Sequence, residues 1–145
     1  MALFAPDLKL NNAYELTPEF LINKGIKVLL TDLDNTLATY EEEVPSEKTF
    51  AWIKSITNCG IKVAVVSNND LPRVEKYCSP LGIKYYHKSG KPRSRTIKRA
   101  MAELGGDKKT TLLMGDKMIT DIFGAKTSGV FSIKVPPMGK RRMFE

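Results

Sequence analysis

Five short apolar runs lie along the chain, separated by polar or glycine-containing segments. Each run is rich in β-branched and large aliphatic residues and is too short for a typical buried helix, which favours a buried strand. The predicted strands are residues 26–31, 61–66, 83–86, 110–114 and 130–135.

Helix signals lie before and between these runs. Thr17 precedes a proline at the first helical position, and Gly25 ends that helix. Ser46 is placed to cap a second helix, whose apolar residues follow at helical spacing. The other predicted helices follow Pro72, start near Pro92 and occupy residues 119–126.

Strands that alternate with helices predict a parallel sheet with right-handed crossovers. We therefore expect an α/β fold: a single Rossmann-like three-layer domain over residues 1–145 with a five-stranded parallel sheet. Residues 1–25 are predicted to form an N-terminal extension and residues 136–145 a basic tail. Residues 1–16 have too little periodicity to be assigned, although their apolar side chains suit an edge of the domain.

The composition, with 42% hydrophobic and 27% charged residues, is that of an ordinary globular protein. Cys59 and Cys78 match neither a disulfide framework nor a metal-binding spacing, and no secretory signal or membrane-length apolar run is visible. We therefore expect a cytoplasmic protein. The net charge of +7 and the isoelectric point near 9.4 favour an anionic substrate, surface or partner.

Two carboxylates directly follow the first predicted strand. Asp32 and Asp34 are separated by one residue, so their side chains point the same way in an extended chain. In open α/β sheets the carboxyl ends of the strands form the ligand site. Adjacent carboxylates repel each other, and a divalent cation such as Mg²⁺ relieves that repulsion. For this pair taken alone, the alternative is a solvated Asp-rich turn.

Three more strand ends carry residues suited to phosphate or metal chemistry. They are Ser67 and Asn68 after the second strand, Lys91 beyond the third, and Gly115 and Asp116 after the fourth. Each residue taken alone has an ordinary interpretation as a turn residue, a surface lysine or a helix cap. Lys88 is an alternative to Lys91 as the lysine of the site. Four such strand ends in order indicate one site.

These motifs resemble the four motifs of the haloacid dehalogenase (HAD) superfamily. They are Asp-Leu-Asp-Asn-Thr at 32–36, the strand that ends in Ser67, Lys91-Pro92, and Gly-Asp-Lys-Met-Ile-Thr-Asp at 115–121. Their order and spacing agree over residues 26–135. More closely, the chain resembles the small YqeG-like phosphatases of subfamily IIIA.

The resemblance implies phosphate-ester hydrolysis in two steps. Asp32 would be the nucleophile that becomes an aspartyl-phosphate. Asp34 would be the general acid for the leaving oxygen and then the base for water. Ser67, the backbone near Asn68, and Lys91 would bind the transferring phosphoryl group and neutralise its charge.

Mg²⁺ is the cofactor that the resemblance implies. Its implied ligands are Asp32, Asp116 and the main-chain carbonyl of Asp34. Asp121 would support the metal or orient Lys91. The other residues implied to support the site are Thr36, which would fix the loop, and Gly115, which permits close approach of the backbone.

The spacing of the motifs leaves no room for the inserted cap domain that many HAD enzymes carry. Asn68 follows Asp34 by 34 positions and Lys91 follows Asn68 by 23. An open site favours a bulky substrate, or a lid supplied by a homo-oligomer. A basic cluster without acidic residues would draw a polyanion or an anionic membrane to the site; it comprises Lys84, Lys88, Lys91, Arg93, Arg95, Lys98 and Arg99.

The resulting prediction is a Mg²⁺-dependent phosphomonoesterase with a HAD core and no cap domain. Relatives in the resembling branch include phosphatidylglycerophosphate phosphatases, so a membrane phospholipid is the leading substrate, with a peripheral location at the inner membrane surface. One alternative is a soluble phosphatase that acts on sugar phosphates, nucleotides or phosphoproteins. The other is a non-catalytic HAD-like module that binds RNA or another anionic partner. DNA binding is not expected.

Overall fold

The computed structural model describes residues 5–139 as an α/β domain built on one parallel sheet. Its strands are β1 (Leu8–Lys9), β2 (Val28–Thr31), β3 (Lys62–Val66), β4 (Lys84–Tyr86), β5 (Thr111–Gly115) and β6 (Phe131–Lys134). They are arranged in the order β1-β6-β5-β2-β3-β4. The predicted basic tail, including Lys140, Arg141 and Arg142, lies outside the described residues from position 140 onward.

Within residues 5–139 the sheet has six strands, so the predicted number of five was wrong. The additional strand β1 has two residues, too few to show periodicity, and it pairs with β6 through Leu8 opposite Ile133. Asp7 strengthens this edge: its N–H donates to the Ser132 carbonyl at 3.1 Å, and its carboxylate accepts from the Ser132 N–H at 2.9 Å. The two residues are 125 positions apart, so no local sequence pattern predicts the pairing.

Helices cover both faces of the sheet. They are α1 (Pro18–Lys24), α2 (Glu47–Thr57), α3 (Leu71–Cys78), α4 (Ser94–Glu103) and α5 (Phe123–Ser128). Successive residues of the central strand β2 face opposite layers: Leu29 packs with apolar residues of α1, α2 and α3, whereas Leu30 packs with those of α4 and α5. This alternation produces the three-layer arrangement that the sequence predicted.

The predicted helix starts agree with the capping bonds. The Thr17 hydroxyl accepts from the Phe20 N–H at 3.1 Å, and the Ser46 hydroxyl accepts from the Thr49 N–H at 3.1 Å. Gly25 ends α1 in the left-handed conformation, with φ of 78°. The segment predicted as a helix over 119–126 divides into a π-helical turn at Met118–Ile122 and then α5.

The connections between the central strands are short. Between β2 and β3 there are a loop and α2, and between β3 and β4 there are α3 and a 3-10 turn at Ser79–Leu81. Over residues 5–139, neither connection contains an inserted cap domain. Within the same residues, no helix combines the length and apolar character needed to cross a membrane.

Candidate active site

The carboxyl ends of β5, β2, β3 and β4, which are neighbours in the sheet, meet at a cavity of about 170 Å³. The loops after these strands carry the polar residues that the sequence analysis selected. The cavity is lined by Asp32, Asp34, Tyr40, Ser67, Asn68, Asn69, Lys91, Lys117 and Thr120. The other selected residues near it, Thr36, Gly115, Asp116 and Asp121, are buried.

Lys91 is buried between two carboxylates at this cavity. Its Nζ lies 3.1 Å from Asp32 Oδ1 and 2.6 Å from Asp121 Oδ1. Burial alone lowers the pKa of a lysine, but the charges of Asp121 and Asp32 outweigh it and raise the pKa of Lys91 above its ordinary value. The competing Lys88 is exposed to solvent. Of the two lysines, Lys91 therefore supplies the fixed positive charge.

Three buried carboxylates form a cluster in which one oxygen from each lies within 4.8 Å of the others. These residues are Asp32, Asp116 and Asp121. Burial raises the pKa of Asp32 to about 6, aided by the charge of Asp121 and opposed by Lys91. Burial and the charge of Asp32 likewise raise the pKa of Asp116 to about 6. The cluster thus concentrates negative charge where water is largely excluded, and a divalent cation can compensate it.

Gly115 allows Asp121 to reach this cluster. A Cβ added at Gly115 would lie 2.2 Å from the Asp121 carboxyl carbon, which is too close for any side chain. Asp121 Oδ2 also accepts a hydrogen bond from the Lys117 N–H at 3.2 Å, which fixes the turn after β5. The group that closely approaches the Gly115 backbone is therefore the Asp121 side chain.

Thr36 connects the loop after β2 with the loop after β5. Its hydroxyl donates to Asp116 Oδ1 at 3.2 Å, and its own N–H donates to the Leu33 carbonyl at 3.2 Å. Asn35 precedes it with φ of 63°, the left-handed conformation that asparagine tolerates. Thr36 thus orients a carboxylate of the cluster as well as the tight turn.

The loops after β3 and β4 are joined through Asn68. Its Oδ1 accepts from the Lys91 N–H at 2.9 Å and from the Ser89 hydroxyl at 2.6 Å, while its Nδ2 donates to the Lys91 carbonyl at 3.0 Å. Ser67 is buried at the cavity wall, where its hydroxyl accepts from the Asn69 N–H at 3.1 Å. The Asn68 side chain therefore fixes the main chain at Lys91.

The Asp34 carboxylate has different hydrogen-bond partners from the three carboxylates of the cluster. Asn69 Nδ2 donates to Asp34 Oδ2 at 2.9 Å. Arg73 donates to Asp34 Oδ1 through Nε at 3.1 Å and through Nη2 at 2.9 Å. The two carboxylates of the Asp-x-Asp motif are therefore separated by environment, one facing Lys91 and the other facing Arg73.

Asn69, Arg73 and Lys117 were not predicted from the sequence as residues of the site, and neither were Tyr40 and Thr120, which also line the cavity. Asn69 and Lys117 directly follow the selected residues Asn68 and Asp116, and this adjacency was a usable signal. Lys117 also contacts another cavity residue, Tyr40, with Nζ 3.4 Å from the phenol oxygen. Arg73 is 39 positions from Asp34 and belongs to no recognisable pattern, so only the fold reveals its contact.

Comparison with known proteins places the chain in a family. A sequence model of the haloacid dehalogenase-like hydrolases matches residues 5–129. The chain is 34% identical over 135 residues to the probable phosphatase YqeG of Bacillus subtilis, with coverage of 93% of this chain and 78% of that protein.

Solved structures agree on the fold. The cobalt-bound deoxy-D-mannose-octulosonate 8-phosphate phosphatase of Haemophilus influenzae superposes with a TM-score of 0.64 at 19% identity, covering 77% of this chain and 69% of that one. An uncharacterised protein of Listeria monocytogenes gives the same TM-score at 17% identity, covering 81% and 85%. The family assignment itself rests on the sequence model and on the match to YqeG. The chain belongs to the haloacid dehalogenase-like hydrolases, and within them it is a YqeG-like phosphatase.

Proposed function

We propose that this phosphatase hydrolyses a phosphate monoester through an aspartyl-phosphate formed on Asp32. The observation that carries the proposal is the meeting of Asp32, Lys91 and Asp34 at one cavity. Asp32 and Asp34 follow the same strand but have different partners, Lys91 for the first and Arg73 for the second. Such a division suits two carboxylates with different roles in one reaction.

In the first step, an Asp32 oxygen attacks phosphorus and forms a P–O bond. The bond from phosphorus to the substrate alcohol breaks, and its electron pair goes to the alcohol oxygen, which takes a proton from Asp34. The Lys91 ammonium, 3.1 Å from Asp32, orients the nucleophile and neutralises charge that develops on the phosphoryl oxygens. The Ser67 hydroxyl, at the wall of the same cavity, donates to one of those oxygens.

In the second step, water attacks the phosphorus of the aspartyl-phosphate. Asp34 now takes a proton from that water, and the bond between phosphorus and the Asp32 oxygen breaks. Inorganic phosphate leaves, and Asp32 is restored as a carboxylate. Asp34 therefore donates a proton in one step and recovers one in the next, so the cycle closes without another acid or base.

The donor set of this site fits Mg²⁺. Asp32, Asp116 and Asp121 offer carboxylate oxygens within 4.8 Å of one another, and hard divalent cations prefer such oxygens. Asp32, Asp116 and the main-chain carbonyl of Asp34 would hold the ion, with Asp121 either joining them or holding Lys91. A bound Mg²⁺ supplies positive charge to the transferring phosphoryl group.

The proposed substrate is an anionic phospholipid monoester, with phosphatidylglycerophosphate as the first candidate. Over residues 5–139 no cap domain covers the cavity, so a headgroup in a membrane can enter it. Arg93, Arg95 and Lys98 are exposed on the segment that follows Lys91, and they would attract an anionic surface. The enzyme would then act as a peripheral protein at the inner face of the membrane.

The test measures phosphate release with Mg²⁺ from phosphatidylglycerophosphate in vesicles and from soluble sugar phosphates, nucleotides and phosphopeptides. Wild-type protein should hydrolyse the vesicle substrate with the highest kcat/KM. Asp32→Asn should remain folded and release no phosphate, because an amide cannot form the acyl-phosphate.

Three results contradict different parts of the proposal. Turnover by folded Asp32→Asn at the wild-type rate contradicts the aspartyl-phosphate. A soluble ester with a higher kcat/KM than the vesicle substrate contradicts the lipid assignment and favours the soluble alternative. If no ester is hydrolysed and RNA binds instead, the catalytic proposal as a whole is wrong.

A further inference from the structure

Arg73 is a partly buried side chain that connects the predicted acid to a neighbouring loop. From α3 it donates to Asp34 Oδ1 through two nitrogens, Nε at 3.1 Å and Nη2 at 2.9 Å. Nη2 also donates to the Thr39 carbonyl at 3.0 Å, and Nη1 donates to the Glu42 carbonyl. The exposed fraction is 14% for the Arg73 side chain and 10% for that of Asp34, so solvent screens this pair only weakly.

The two oxygens of Asp34 have unequal partners. Oδ1 accepts both bonds from the planar guanidinium, which is held in turn by the two carbonyls of the 39–42 loop. Oδ2 accepts one bond from a neutral donor, the Asn69 amide, at 2.9 Å, and Asn69 itself lines the cavity. Two bonds from a guanidinium cation hold an oxygen more strongly than one bond from a neutral amide, so Oδ2 is the oxygen more easily released to a substrate.

We infer that Arg73 is a positioning residue for proton transfer in the phosphatase reaction. By occupying Oδ1, it fixes the plane of the Asp34 carboxyl and leaves Oδ2 to exchange its Asn69 partner for the leaving oxygen. The proton then passes between Asp34 Oδ2 and that oxygen. Arg73 touches neither substrate nor phosphoryl group in this scheme, and it acts only through Asp34. The inference rests on the role of Asp34 in the proposed function.

A purely structural role for Arg73 is the competing explanation, because the same side chain also holds the 39–42 loop. Lys76 provides a matched control: it lies one turn further along α3, and its Nζ contacts Glu43 Oε1 of the adjoining loop at 2.9 Å. Both side chains of that pair are exposed, with fractions of 58% and 71%, and neither contacts Asp34. Lys76→Ala therefore removes a side-chain contact between α3 and this loop without releasing the acid.

The experiment compares two esters that differ in their need for an acid. The alkoxide of an alkyl phosphate is a poor leaving group and needs a proton from an acid, whereas the dinitrophenolate of dinitrophenyl phosphate leaves without one. The parameter is kcat/KM, which reports formation of the aspartyl-phosphate irrespective of its later hydrolysis. The variants are Arg73→Ala, Arg73→Lys, Lys76→Ala and Asp34→Asn, each checked for folding by thermal melting.

Arg73→Ala should lose roughly 10²-fold in kcat/KM on the alkyl ester, near the lower end of what positioned proton transfer contributes, and little on the dinitrophenyl ester. Arg73→Lys should lose less, because its ammonium still reaches one Asp34 oxygen. Added guanidinium ion should restore part of the alkyl-ester activity of Arg73→Ala and none of that of Asp34→Asn. Lys76→Ala should resemble wild type on both esters.

The inference is overturned if folded Arg73→Ala loses equally on both esters, or if Lys76→Ala reproduces its selective loss. In either case Arg73 acts through the loop. Asp34→Asn separates this failure from that of the proposed function. If Asp34→Asn is selective for the alkyl ester while Arg73→Ala is not, only the role of Arg73 is wrong. If Asp34→Asn is itself unselective, Asp34 is not the leaving-group acid and both proposals fail.

Discussion

Replacing Gly115 by alanine is expected to displace Asp121 from the carboxylate cluster. The new Cβ would lie 2.2 Å from both Cγ and Oδ2 of Asp121, whereas an ordinary contact is 3.4 Å or more, so a shift of about 1 Å is required. The backbone of Gly115 is held at the end of β5, opposite Lys134 of β6. Asp121 should therefore move, and its 2.6 Å contact with Lys91 should lengthen.

The expected cost has a stability part and a kinetic part. Overpacking of a buried site destabilises a protein by about 1–3 kcal/mol, which urea unfolding measures as a lower midpoint. A misplacement of roughly 1 Å in a catalytic constellation costs about 10²-fold in rate. We therefore expect folded Gly115→Ala to have kcat/KM lower by about two orders of magnitude and a weaker apparent affinity for Mg²⁺.

Gly106→Ala is the matched control for overpacking. Its Cβ would lie 2.6 Å from side-chain atoms of Val28 and Thr111, at the start of β2 and β5 and so at the opposite end of the sheet from the cavity. It should lower the urea midpoint comparably and leave kcat/KM and Mg²⁺ affinity unchanged. The reasoning is refuted if Gly115→Ala has wild-type kinetics, or if Gly106→Ala loses as much activity as Gly115→Ala does.

Three further predictions concern the metal, the pH dependence and the basic surface. Chelation should abolish turnover, and Asp116→Ala should weaken Mg²⁺ binding. Ca²⁺ should inhibit, because its larger coordination shell lets Asp32 bind through both oxygens. Full activity in chelator would contradict the assignment of a metal site. Because the pKa values of Asp32 and Asp116 are raised to about 6, the folded metal-free protein holds more protons than the unfolded chain between about pH 4 and 6. The stability of the metal-free protein should therefore fall as the pH rises through 6, which urea unfolding in chelator at pH 5 and 7.5 would measure. The apparent Mg²⁺ affinity should fall as the pH drops below 6, which Mg²⁺ titration at the same two pH values would measure. A flat pH profile would argue against the raised pKa values of Asp32 and Asp116. Neutralising the exposed residues Arg93, Arg95, Lys98 and Arg99 should raise KM on anionic vesicles and leave kcat on a small soluble ester unchanged. Binding of the wild-type protein to vesicles should weaken as the salt concentration rises. Unchanged vesicle kinetics in the variant would show that these charges do not steer the enzyme.

The part of the site carried by strand ends was predictable from sequence. A parallel sheet brings the carboxyl ends of its strands to one edge, so Asp32, Ser67 and Asp116 had to lie near one another once the strands were identified. The loop after β4 then brought Lys91 to the same edge. The meeting of these residues at one edge follows from the order of the elements, whereas their expected roles came from the resemblance to the HAD motifs.

Two contacts that the sequence could not show join residues that are distant along the chain and of which at least one belongs to no recognisable motif. The ion pair between Arg73 and Asp34 depends on how α3 packs beside the loop after β2, and a helical arginine normally indicates only a solvated face. The pairing of β1 likewise depends on β6, because two residues carry no periodicity of their own. Both features arise from tertiary packing rather than from local preference.

The short strand β1 also determines how the edge of the sheet meets other molecules. The carbonyls of Ser132 and Lys134 in β6 accept the N–H groups of Asp7 and Leu10, so β1 covers the backbone groups along that side of β6. An uncovered strand is a template for another copy of the chain. A version shortened to begin after Leu10 would expose β6 and should self-associate at high concentration, even though every residue at the cavity is retained.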